Sequence, residues 1–146
     1  MKNLLFLPLL YFGSIYIHAQ NKTPQQCIES FFEAFHKKDT VELRSMMHED
    51  LVLRTVIKTN DGIASVKNED VSTFLKSIAS IPDNVVFLEK ITEYKIEVDG
   101  QLAHVWTPYS FYANNQLSHA GVNSFVLVHV DGKWKIVHLI DTREKG

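Results

Sequence analysis

Hydrophobic residues along this chain change their spacing near its middle. In residues 24–37, Cys27, Ile28, Phe31, Phe32 and Phe35 recur one, three or four apart, forming one stripe of a helix. Thr23 and Pro24 suit its start, as N-cap and first helical residue, and the polar run His36 to Asp39 ends it. Thr40–Met47 predicts a second, short helix. Asn68–Ser80 predicts a third, opened by an Asn cap and early acids, with Val71, Phe74, Leu75 and Ile78 on one face and Pro82 beyond its end. Between the last two, Asp50–Lys58 has the β-branched character of a strand, and Asn60-Asp61-Gly62 marks a turn.

From Val85 onward the period falls to two. Val85–Val98, Gln101–Ala113, Gln116–Val130 and Lys133–Thr142 read as strands separated by Asp99-Gly100, Asn114-Asn115 and Asp131-Gly132. Each pair tolerates positive φ, the requirement of a tight hairpin. Three successive hairpins make a four-stranded antiparallel meander. Helices followed by a long curved sheet predict one α+β domain with helices packed on one sheet face.

Unslipped hairpins also predict which side chains meet. Counting back from Asn114-Asn115 sets Trp106 opposite Asn123, His104 opposite Phe125 and Ser110 opposite His119. Counting from Asp131-Gly132 sets Phe125 opposite His138 and Asn123 opposite Ile140. One face then holds His104, Trp106, Ser110, Tyr112, His119, Asn123, Phe125, Trp134, Ile136, His138 and Ile140. The other holds Val105, Tyr109, Phe111, Leu139 and Asp141 among more aliphatic residues. Pro108 cannot donate to a ladder, so a bulge there would exchange the faces on one side of it.

The first face is the expected pocket, because it mixes aromatic walls with imidazoles and an amide. His104, Trp106, Tyr112, His119, Asn123 and His138 are its candidate ligand-binding residues. A histidine there could move a proton near neutral pH, with Tyr112 or Asn123 as an oxyanion donor. The alternative for each histidine is a hydrogen-bonded, inert structural role, and no catalytic residue is assigned. Asp141 reads as a strand-end or interface acid paired with Arg143 or Arg54, and Arg54 as an edge charge or an anion clamp. His36, His48 and His129 read as surface or turn residues. Both faces are substantially apolar, so the second is expected to join two copies of the chain as a homodimer.

Composition narrows the function. Apolar residues make up 45% and charged residues 22% of 146 residues, an ordinary globular balance. A net charge of -2 offers no basic footprint for nucleic acid. The pattern lacks HExxH, HxH, a GxSxG elbow and a Gly-rich phosphate loop, so neither a metal nor a cofactor is expected. Cys27 is the single cysteine, so no internal disulfide can form, and its helical face marks it as a small buried hydrophobe. Residues 1–19 read as a signal peptide, with Lys2, a short apolar run from Leu4 to Ile17 and a small residue, Ala19, at the cleavage point; the alternative is an uncleaved membrane anchor, for which the run is short. The expectation is export to the periplasm or medium of a bacterium, with no stable membrane insertion after cleavage and residues 20–146 as the mature domain.

Four stretches carry a resemblance: FFEAFHKKDTVELRSMMHEDLVL (Phe31 to Leu53), LAHVWTPYSFY (Leu102 to Tyr112), HAGVNSFVLVHVDGKWKIVHL (His119 to Leu139) and the ending DTR. With the element order, they resemble the nuclear transport factor 2-like superfamily, and within it the lumazine-binding and SnoaL-like small bacterial domains. The resemblance implies a cone-shaped α+β barrel with a pocket between helices and concave sheet, commonly dimerising through the sheet. The N-terminal segment and the expected pocket face, taken with this resemblance, leave two functions. One is an exported domain that binds a small apolar or aromatic molecule without catalysis. The alternative is a cofactor-independent isomerase, lyase or cyclase using a pocket histidine as general acid or base.

Overall fold

The structure, a computed structural model, describes residues 22–58 and 62–145. The proposed signal peptide and the Asn60-Asp61 half of the predicted turn lie outside them. Helix α1 (Pro24–His36) begins on a capping box, in which the Thr23 hydroxyl accepts from the Gln26 N–H and the Gln26 side chain accepts from the Thr23 N–H. Asp39 caps α2 (Thr40–Met46) and Asp70 caps α3 (Val71–Ala79). The third helix therefore starts at Val71, because Asn68 and Glu69 belong to a strand that the sequence pattern did not reveal.

Seven strands form one open, curved sheet: β1 (Met47–Lys58), β2 (Ala64–Glu69), β3 (Phe87–Ile91), β4 (Lys95–Asp99), β5 (Leu102–Ala113), β6 (Gln116–Val130) and β7 (Lys133–Lys145). Their order is β2-β1-β7-β6-β5-β3, with β4 also on β5. The C-terminal meander is present as expected, but β1 runs parallel to β7, so the sheet is mixed. The single strand expected over Val85–Val98 is two: β3 pairs with the second half of β5 and β4 with the first. Pro108 sits at that break. Its carbonyl accepts from the N–H and hydroxyl of Thr92, and its missing N–H faces the gap, where no ladder bond is lost.

Helix α1 drives Cys27, Ile28, Phe31 and Phe32 against the concave face, where Val105, Phe125, Leu127 and Ile136 are almost fully buried. Edge-to-face contacts of Phe31 and Phe32 with Phe125, at 5.7 and 5.9 Å between centroids, join helix to sheet. Cys27 is buried in this core, and burial pushes its thiol up to about 11.

Two bulges overturn the predicted pairing. The β5–β6 ladder keeps the expected register only as far as Tyr112↔Leu117, then steps to Phe111↔His119, leaving Ser118 unopposed. In consequence Trp106 faces Ser124, His104 faces Val126, and Thr107 faces Asn123. The β6–β7 ladder steps between Leu127↔Ile136 and Val126↔His138, leaving Val137 unopposed, so Phe125 faces Leu139 and Asn123 faces Asp141. One unpaired residue reverses every side chain beyond it. His119, Asn123, Phe125, Trp134 and Ile136 keep a common face, but His104, Trp106, Ser110, Tyr112, His138 and Ile140 lie on the other.

Candidate functional site

A cavity of about 70 Å³ lies between the helices and the concave sheet. That is several times the roughly 10–15 Å³ that one water needs on the same measure. Phe31, Phe32 and Phe35 from α1 and Phe74 from α3 form its roof, and Leu53, Phe125 and Leu139 form its apolar floor. Its other end is polar and comes from the sheet: Arg54, Thr55, Glu69, Glu89, Asn123, Asp141 and Arg143.

Register explains this division. Val105, Phe125, Leu139 and Leu53 are successive partners across four strands, an apolar row. The next row inward is Thr107, Asn123, Asp141 and Thr55, a polar row on the same concave face. Glu89 reaches this row from the edge strand β3. The Asn123 Nδ2 donates to its Oε1 at 2.7 Å. Burial drives the Glu89 carboxyl up to about 7, and the Asp141 charge adds to the rise. The Asn123 bond and the Arg143 charge act against it.

Asp141 accepts from Arg143 Nε at 2.8 Å, one of the two partners expected from sequence. The Tyr109 hydroxyl lies 2.8 Å from the Thr142 carbonyl and 3.4 Å from Asp141 Oδ2, so its one hydrogen goes to the carbonyl. Burial, then the Asp141 and Glu89 charges, hold that phenol well above its ordinary range, so it remains a neutral donor. Tyr109 gets this close because its register partner is Gly121, where a Cβ would fall 1.9 Å from the Thr142 oxygen. Thr107 Oγ1, fully buried beside Asn123, has no hydrogen-bond partner among the described residues.

Of the six residues predicted to bind a ligand, Asn123 lines this cavity. His119 shares its face but stacks on Phe111, 4.8 Å between centroids, outside the lining. Burial and the nearby Arg143 lower the pKa of this imidazole. His104 and Trp106 line a shallow outer depression with Lys95 and Glu97, and Tyr112 lines another beside Leu88 and Lys90. His138 faces outward between Val126 and Val52. Asp141 and Tyr109, assigned by sequence to the opposite face from Asn123, are at the cavity or beside it. Glu89 was missed, although its position between the inward-facing Phe87 and Ile91 on a period of two was the available signal. Arg54 donates from Nε to Asn68 on the neighbouring β2.

His36 is not a surface residue. It is half-buried, and its Nε2 accepts the Glu89 backbone N–H at 2.9 Å. Burial lowers its pKa. Among the described residues, His48, Glu49 and Asp50 bring metal-binding atoms within 4.8 Å of one another, but none of them lines the cavity.

A search of curated proteins finds no match. Among solved structures, an NTF2-like protein from Cytophaga hutchinsonii superimposes with a TM-score of 0.66 at 17% identity, covering 82% of this chain and 94% of that one. A Streptomyces avermitilis protein provisionally described as a dehydratase of the NTF2-like family gives 0.61 at 18% identity, over 82% and 92%. The beta subunit of a provisionally described aromatic-ring-hydroxylating dioxygenase from Novosphingobium aromaticivorans gives 0.66 at 10% identity, over 84% and 87%. At such identities these likenesses establish a shared fold. The SnoaL-like domain family matches residues 25–140, from the first turn of α1 to Ile140 on β7. The chain therefore belongs to the SnoaL-like domain family, on the NTF2-like fold.

Proposed function

We propose that this protein binds a compact, partly apolar molecule between α1 and the sheet, and that Glu89 exchanges protons with it without a cofactor. The observation that carries the reading is Glu89 itself: a carboxyl held at about 7 by burial, at the polar end of an aromatic cavity. A base of that pKa is divided between its two forms at neutral pH, where proton transfer in either direction is efficient. A carbonyl compound with an acidic C–H fits the surroundings. Its hydrocarbon part packs on the phenylalanines, while its oxygen meets donors on Asn123 and Arg143 as negative charge develops. This gives the acid–base role to a carboxyl rather than to one of the predicted histidines.

The test is solvent-deuterium exchange into small cyclic enones and aryl ketones, followed by proton NMR. Wild type should accelerate exchange for at least one compound, and Glu89→Gln should abolish it while preserving ligand-induced thermal stabilisation. Thermal stabilisation without exchange by any compound would leave a binding domain and remove the catalytic reading.

Two broader features belong to the same proposal. Export rests on the Lys2-led apolar segment before Gln20, and N-terminal sequencing of the mature protein should begin at that residue. Homodimerisation rests on the outer sheet face, where Leu88, Leu102 and Trp106 are exposed.

A further inference from the structure

We propose that His36 is a positioning residue for Glu89: its neutral imidazole anchors the edge strand β3 at the residue whose carboxyl enters the cavity. Strand β3 ends the sheet path and, among the described residues, pairs only with β5. Asn114 N–H donates to the Val86 carbonyl, so by antiparallel alternation Leu88 and Lys90 bond to β5 while the Glu89 peptide groups face the open edge. At that edge the Glu89 N–H meets His36 Nε2 at 2.9 Å.

The ring is itself held in place. It stacks on Phe32 at 6.3 Å, lies 5.9 Å from Phe35 and meets Phe87 edge-on at 6.2 Å. Phe32 and Phe35 also line the cavity, so one helix turn both roofs the pocket and fixes its acid. A backbone N–H can only donate, so Nε2 must carry its lone pair and the ring proton must sit on Nδ1. Without this bond, β3 at Glu89 is an edge backbone free to shift. A small displacement there would carry the carboxyl away from Asn123, whose 2.7 Å bond is the chief influence lowering its pKa.

The consequence for proton transfer rests on the function proposed above, but the positioning can be read without any substrate. Nitrogen-15 NMR of the full chain should show His36 as the Nδ1–H tautomer. His36→Phe keeps the aromatic packing and removes the acceptor. It should raise hydrogen exchange at the Glu89 amide about tenfold relative to the Leu88 and Lys90 amides, and move the Glu89 carboxyl pKa upward. His36→Gln, which restores an acceptor, should recover part of both effects. A uniform rise across β3 would indicate general loosening and overturn the proposal, as would an Nε2–H tautomer or an unchanged Glu89 pKa. If the NMR effects appear while no compound undergoes exchange in wild type, His36 still positions Glu89 and only the catalytic reading fails.

Discussion

Glu89 contributes stability in acid and loses that contribution as pH rises. Its folded pKa, about 7, lies above the ordinary 4.5, so the unfolded chain releases the proton first. Its contribution is therefore fully present below pH 4.5, declines as pH rises and is gone above about 7. At 1.36 kcal/mol for each pH unit crossed, the loss is on the order of 3 kcal/mol. Glu89→Gln removes the ionisation but keeps an amide that can pair with Asn123. Urea unfolding from pH 4 to pH 9 should show wild type losing stability relative to this variant, and parallel curves would contradict a buried acid. Asn123→Ala has a different signature: without its donor, the Glu89 carboxyl should titrate above about 7 in carbon-13 NMR. An unchanged titration would mean that the 2.7 Å bond does not hold the carboxyl down.

At the scale of elements, what was legible in the sequence and what was not have separate physical causes. Thr23-Pro24 and the turns at Asp99-Gly100, Asn114-Asn115 and Asp131-Gly132 encode structure locally, through caps and positive φ; Asn114, Asn115 and Asp131 all adopt it. The helices and the meander could therefore be read directly. Bulges have no such local code. Ser118 and Val137 would fit a regular strand, and what displaces them is the curvature needed to wrap the sheet around α1. Each bulge moved the predicted pairing by one, which put His104 and His138 outside and brought Asp141 beside Asn123. Gly121 shows how closely β6 and β7 approach beyond these bulges. A methyl there would meet a backbone oxygen, which cannot rotate aside. Gly121→Ala should therefore displace β7 at Thr142, break the Tyr109 bond and cost roughly 1–3 kcal/mol in urea unfolding. Wild-type stability in that variant would show that the two strands separate easily.

Taken whole, the described residues form a two-sided sheet with helices on only one side. Helices α1 and α3 roof the concave face and its cavity, whereas the convex face leaves Leu102 at 51%, Leu88 at 46% and Trp106 at 39% exposure. At the β2 edge, Lys67 and Glu69 oppose strand-to-strand addition, and on β3 His36 occupies the Glu89 N–H, so the homodimer proposed above would form through the face instead. A stable pair of subunits needs about 800 Å² from each, an area that strands of 12 to 15 residues such as β5 and β6 can supply. Trp106 lies on the exposed stretch of β5, where a large aromatic contributes most when covered. Light scattering at tens of micromolar should give twice the chain mass. Trp106→Glu should halve it without changing the circular dichroism or the Glu89 titration, because the cavity opens on the opposite face. A monomeric wild type would leave the convex face without a second copy and would refute the homodimer, while the proposals for the cavity would stand unchanged.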